Sequence, residues 1–262
     1  RKSQVSNSGP INCSNLCTEI VQHTSDEEIP TCNLGALNLP KFVKGKVSNY
    51  QETNIDTIRK ELIRCYDFEE LGFRIRSLVE NINRVIDTNF YPLDRIVDGK
   101  LTGPISRTNY RNRPLGIGVS GFYNAVVGMS FAMESQFALE FNKMVFACMY
   151  FNANLASAEL AIRDGEYPTF RTSECKIFNE VSNEYETLSG SPLSNGYFQF
   201  DLARKEYYNL KFRNRLVEYE TYENEDGSEG IDEIYTLSDI QPLEPEFWGQ
   251  NGSWEELRKK IM

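Results

Sequence analysis

The chain has 262 residues, of which 40% are hydrophobic and 25% charged, enough to bury a sizeable core in one large domain or two small ones. Its formal net charge is -10, yet Glu218 to Glu233 carries eight acidic residues and no basic one, leaving -2 for everything else, so the acidity is local and argues against a nucleic-acid surface. No apolar run approaches the ~20 residues of a membrane span and no signal-peptide pattern opens the chain, so a soluble, cytoplasmic location is expected.

The first residue is Arg rather than Met, which reads as an excerpt or a separately encoded piece of a longer protein. Residues 1–10 are polar, end at Gly9-Pro10 and read as a connection from an upstream part. In the next stretch, Ile11 to Ile20, an amide, a thiol and a carboxylate alternate at Asn15, Cys17 and Glu19. If that stretch is extended, period-two geometry points all three to one face, with Leu16 and Thr18 on the other. An unpaired thiol beside a carboxylate suits chemistry in which sulfur exchanges a hydrogen while a neighbouring base moves a proton. The competing reading is a buried strand with a satisfied Asn and a structural Cys. Cysteines 13, 17, 32, 65, 148 and 175 contain no Cys-x-x-Cys pair, which fits a reducing compartment. Cys13, Cys17, His23 and Cys32 form a conceivable zinc set that lacks the usual tight hooks, so no metal is expected. His23 itself lies among polar residues and reads as a surface side chain.

A strand is expected at about Thr31 to Leu37. Ile55, Ile58, Leu62 and Cys65 keep helical spacing, and a second helix begins at Asp67, where Asp67-Phe-Glu-Glu70 resembles a capping box. Its apolar stripe (Phe68, Leu71, Ile75, Leu78, Ile82, Ile86) ends near Asn89, because Tyr91-Pro92 cannot extend it. Leu93 to Pro114 reads as a mixed loop whose Arg107, Arg111 and Arg113 meet either phosphate or solvent. Gly116 to Gly121 satisfies the Gly-x-Gly-x-x-Gly fingerprint of dinucleotide turns, but only Leu115 separates it from Pro114, so it is expected to enter a helix with no long strand before it. A long helix is expected from about Ser130 to Asp164, closed by Gly165. Arg171 to Asn183 reads as an insert, residues 203–252 as an acidic, elaborated surface loop, and Ser253 to Met262 as a final helix capped by Ser253.

Several stretches resemble the large subunit of class I ribonucleotide reductases, in the same order along the chain. They are Ser14-Asn-Leu-Cys-Thr-Glu-Ile20, Thr31-Cys-Asn-Leu-Gly-Ala-Leu-Asn-Leu39, Asn83-Arg-Val-Ile-Asp-Thr-Asn-Phe-Tyr-Pro92, Arg113-Pro-Leu-Gly-Ile-Gly-Val119, Ala156-Ser-Ala-Glu-Leu-Ala161 and Gly190-Ser-Pro-Leu-Ser-Asn-Gly196. The resemblance implies an α/β fold, part of a ten-stranded barrel with a central active-site loop. It implies that Cys17 is the thiyl radical site, Glu19 the general base and Asn15 the residue orienting the ribose, with Cys32 as half of a redox disulfide. Asn15, Glu19 and Leu34 would contact substrate.

The same resemblance implies a ribonucleoside diphosphate substrate, a radical supplied by a metal-containing small subunit, a thioredoxin- or glutaredoxin-type dithiol reductant and a homodimer of large subunits. No cofactor is expected on this chain, and nucleoside triphosphate effectors would bind outside it. The regulatory domain, the second redox cysteine, the substrate-phosphate loop and the relay tyrosines are expected elsewhere, so the isolated chain is expected to be inactive. A non-catalytic barrel remnant or interaction module is the alternative, and a dinucleotide-binding protein a further one.

Overall fold

The apolar stripe that starts at Phe68 forms helix α2 (Phe68–Thr88) in the computed structural model, which describes residues 6–9, 11–12, 21–31, 33–179, 184–202, 218–223, 229–234 and 242–262. Asp67 caps it, its side chain accepting from the Glu70 amide at 3.1 Å. The box is only half built: the Asp67 amide donates to Phe42, and Glu70 turns instead to Arg74 one turn on. Helix α1 (Ile55–Cys65) precedes it, with Asn54 accepting from the Thr57 amide at its start.

Glu61 of α1 bonds the Arg64 guanidinium at 2.8 Å and the Ser48 amide at 3.0 Å, contacts that hold its carboxyl down to about 2. A depressed carboxylate stabilises the fold above its ordinary value and loses that contribution as pH falls from about 4.5 toward about 2. Glu61→Gln is therefore expected to flatten this part of the acid limb in urea unfolding. Because Arg64 is half exposed, the cost at pH 7 should stay under ~1 kcal/mol.

The long helix is α5 (Gln136–Asp164), with Ser135 accepting from the Ala138 amide as its cap and Gly165 ending it. It begins later than Ser130 because a shorter helix, α4 (Phe122–Gly128), stops just before, and Ser130 turns the chain at φ 67°. By length and composition alone α5 passes for a membrane span. Here it packs against α1, α2, a 3-10 turn at Pro245–Trp248 and the last helix, α6 (Trp254–Ile261). Phe137, Phe141, Met144, Cys148 and Phe151 are buried along it. Tyr66, Phe68, Phe122 and Phe141 meet ring to ring at one end, and Tyr150, Phe151, Phe198 and Trp254 at the other. Ser253 caps α6 as its sequence implies, accepting from the Glu256 amide.

Strand β1 (Leu34–Asn38) pairs in parallel with the strand at Gly116–Ser120, from Leu34 opposite Gly116 to Asn38 opposite Ser120. Leu37, Ile117 and Val119 turn toward the helices, while Leu34, Ala36, Asn38, Gly118 and Ser120 form an open, exposed face. A Cβ at Gly35 would lie 2.7 Å from Leu78 Cδ1 and 2.9 Å from Ile82 Cδ1, so those side-chain ends would have to shift to admit a side chain there.

Between these strands, the stretch read as a loop is structured. A hairpin joins β2 (Arg95–Val97) to β3 (Lys100–Thr102) through Asp98 and Gly99, both at positive φ, the Asp-Gly signature of a tight turn. Helix α3 (Pro104–Asn112) follows, and Asp94 caps it from a distance by accepting from the Ile105 and Ser106 amides. The strand at Gly116–Ser120 is then β4. Two further hairpins are β5 (Glu174–Asn179), inside the expected insert, with β6 (Glu184–Ser189), just after it, and β7 (Glu218–Glu223) with β8 (Glu229–Ile234), where an acidic loop was expected. Tyr219, Thr221, Tyr222 and Ile231 are strand formers that outweigh the charge in that stretch. The described residues are thus helix-rich, with one parallel pair and three antiparallel hairpins, and among them no closed barrel is present.

Candidate functional site

Asn15, Cys17 and Glu19, and also Cys13 and Cys32, lie outside the described residues. Of the residues named from the sequence, Leu34 is described, and it is 56% exposed on the open face of β1. What the structure supplies is the ground on either side of position 32. Thr31 and Asn33 are both held by one carboxamide, that of Asn109 on α3. Its oxygen accepts from Asn33 Nδ2 at 2.7 Å, and its nitrogen donates to Thr31 Oγ1 at 2.7 Å and to the Ile105 carbonyl. Asn33 Nδ2 also reaches the Pro114 carbonyl at 3.1 Å, and the Asn33 carbonyl accepts from the Gly116 amide, opening the β1–β4 ladder.

A separate layer of buried polar contacts involves the same helix. Asn112 accepts from Thr169, whose carbonyl accepts from Asn7, and both asparagines are buried. Nearby, Glu28 pairs with Arg111, and a side chain on Gly9 would collide with His23, which is half-buried rather than fully solvated. Both sets of contacts were missed in the sequence. Asn109 and Asn112 stand three apart, one face of a helix, but that signal is readable only once Gly103-Pro104 is taken as a helix start.

The three arginines do not converge. Arg107 pairs with Glu27 and Arg111 with Glu28, while Arg113 forks onto Asp87 and bonds Asn83. Each already has a carboxylate partner, so the phosphate reading loses its support. The glycine fingerprint also resolves against a nucleotide turn, and differently from expectation. Gly116 and Gly118 are strand residues of β4 itself, and only Gly121 lies in the turn before α4. Its φ is 72°, and a side chain there would lie 2.7 Å from Pro40. Glycines inside a strand cannot cradle a pyrophosphate at a helix start.

Cys65, Cys148 and Cys175 are buried free thiols. Burial pushes Cys148 up to about 12 and raises the other two. All three are expected to resist iodoacetamide in the native protein at pH 7.5 and to react after unfolding, which peptide mapping by mass spectrometry reads directly. Of the conceivable zinc set only His23 is described, and among the described residues no group of three or more His, Cys, Asp or Glu is placed to hold a metal.

A family model described as ribonucleotide reductase, barrel domain, matches residues 1–262. The chain belongs to this family. The ribonucleoside-diphosphate reductase large subunit of Arabidopsis thaliana is 35% identical over 204 residues, covering 77% of this chain and 22% of that protein. That of Dictyostelium discoideum is 38% identical over 202 residues, 77% of this chain and 19% of the relative. The Danio rerio large subunit is 33% identical over 205 residues, 78% and 20%. The chain therefore spans about a fifth of the length of these reductase relatives.

Proposed function

We propose that this chain is part of the catalytic barrel of a ribonucleoside-diphosphate reductase large subunit and carries the residues on which radical reduction of the ribose centres. The observation behind the proposal is the family match along all 262 residues, together with an intact Asn15, Cys17 and Glu19 in the stretch that resembles the active-site loop. The open face of β1 and β4 is the face that a closed ten-stranded barrel would turn inward. Leu34 lies on it.

In this reading Cys17, oxidised to a thiyl, takes the 3' hydrogen atom of the ribose, which sulfur does reversibly because the S-H and activated C-H bonds are close in strength. Glu19 accepts the 3'-hydroxyl proton, and Asn15 holds the ribose by hydrogen bonds. Cys32 and a second thiol supply two electrons and two protons, the 2'-hydroxyl leaves as water, and the two sulfurs close to a disulfide. Return of the hydrogen atom from Cys17 to C3' restores the thiyl. The partners are a radical-generating small subunit, a thioredoxin-like reductant and a second large subunit, with a cytoplasmic location.

The test is deoxyribonucleotide formation from a ribonucleoside diphosphate and a dithiol. Activity should be absent from the isolated chain and present when it is combined with the rest of the large subunit and the small subunit. No turnover in the assembled enzyme would favour a non-catalytic barrel module instead, whereas turnover by the isolated chain that is lost in Cys17→Ser would mean that the missing segments are not needed.

A further inference from the structure

Asn109 is fully buried on α3, and its one carboxamide is shared between the side chains of Thr31 and Asn33, the two neighbours of Cys32. We propose that Asn109 is a positioning residue that fixes the backbone on both sides of Cys32 and so sets how readily that cysteine closes and reopens a disulfide. The inference rests on the reading of Cys32 as half of the redox pair.

The β1–β4 ladder does not need this clamp. Register from Leu34 to Asn38 is kept by backbone bonds to β4, and Asn109 grips the chain just before that ladder starts. Burying a carboxamide is costly unless its oxygen and nitrogen are both satisfied, and here the oxygen serves Asn33 while the nitrogen serves Thr31 and Ile105. A disulfide tolerates little misplacement of its Cβ atoms, and strain makes it easier to reduce. Residues 31 and 33 are thus both tied to one helix, itself capped by Asp94, so a change at Asn109 acts on both neighbours of position 32 together.

The experiment uses the assembled reductase, equilibrated in dithiothreitol redox buffers, quenched by alkylation and read by mass spectrometry on the Cys32 peptide. Asn109→Leu should shift the equilibrium toward the dithiol by about tenfold, or about 30 mV for a two-electron couple. Thr31→Val, which keeps the β-branched shape and removes the acceptor, should shift it by about threefold in the same direction. Asn112→Leu serves as the control, since Asn112 is a buried asparagine of the same helix that bonds Thr169 instead. It should leave the equilibrium in place even if it lowers the melting temperature.

If Asn109→Leu fails to fold, Thr31→Val decides alone. No shift in folded Thr31→Val or Asn109→Leu, or an equal shift in Asn112→Leu, overturns the positioning role. A Cys32 peptide that never oxidises reversibly in the unsubstituted enzyme overturns both the inference and the redox reading beneath it.

Discussion

Cys17→Ser in the assembled reductase is expected to lower deoxyribonucleotide formation by at least about a thousandfold, with substrate affinity and thermal stability unchanged, because removing the group on which chemistry centres leaves only binding and positioning. Serine keeps the size and the hydrogen-bonding capacity of cysteine, so a structural thiol should tolerate it at a cost of ~1 kcal/mol. What serine cannot do is exchange a hydrogen atom with ribose, since its O-H bond is much stronger than the C-H bond it would have to trade with. Glu19→Gln should be less severe, because general base catalysis contributes about 10²–10⁴-fold and the radical step itself survives. Single-turnover product formation with pre-reduced enzyme separates the two. Product at an undiminished rate in Cys17→Ser would remove the radical assignment and leave a barrel kept for its architecture.

The helices were readable because their signals are local. Phe68 to Ile86 repeats every three or four residues, Ser253 precedes Trp254-Glu-Glu, and Gly165 stops α5. Helix α3 escaped because its cap is not at its own N-terminus: Gly103 offers no side chain, and Asp94, nine residues upstream, does the capping after a hairpin brings it back. The same remoteness hid the buried polar contacts, since Asn33 and Asn109 are 76 residues apart and neither carries a chemical signature of its own. Asn15, Cys17 and Glu19, by contrast, stood out through their alternation and their likeness to a family loop. A pattern packed into five residues can be proposed from sequence, whereas contacts assembled by packing cannot.

Packing also explains the second large effect, expected at Glu140. This glutamate sits on α5 with a fully buried side chain, 2.9 Å from Arg59 Nε of α1 and 2.9 Å from Lys143 Nζ on its own helix. Arg59 in turn lies over the Phe247 ring at 4.7 Å, so one guanidinium joins α1, α5 and the Pro245–Trp248 turn. Removing Arg59 leaves the buried carboxylate with Lys143 as its remaining charged partner, and Arg59→Met should cost about 3–5 kcal/mol. In a chain of this size that is roughly 6–20 °C of melting temperature. Lys143→Met should cost under ~1 kcal/mol, because Lys143 is half exposed and its pairing is within one helix turn. The double variant Arg59→Met with Glu140→Leu removes the stranded carboxylate and should recover most of the loss. A single Arg59→Met variant that melts within ~2 °C of the parent, or a double variant no better than the single, would mean that water already reaches Glu140 and that α1 is held to α5 by Ile58 and Leu62 alone.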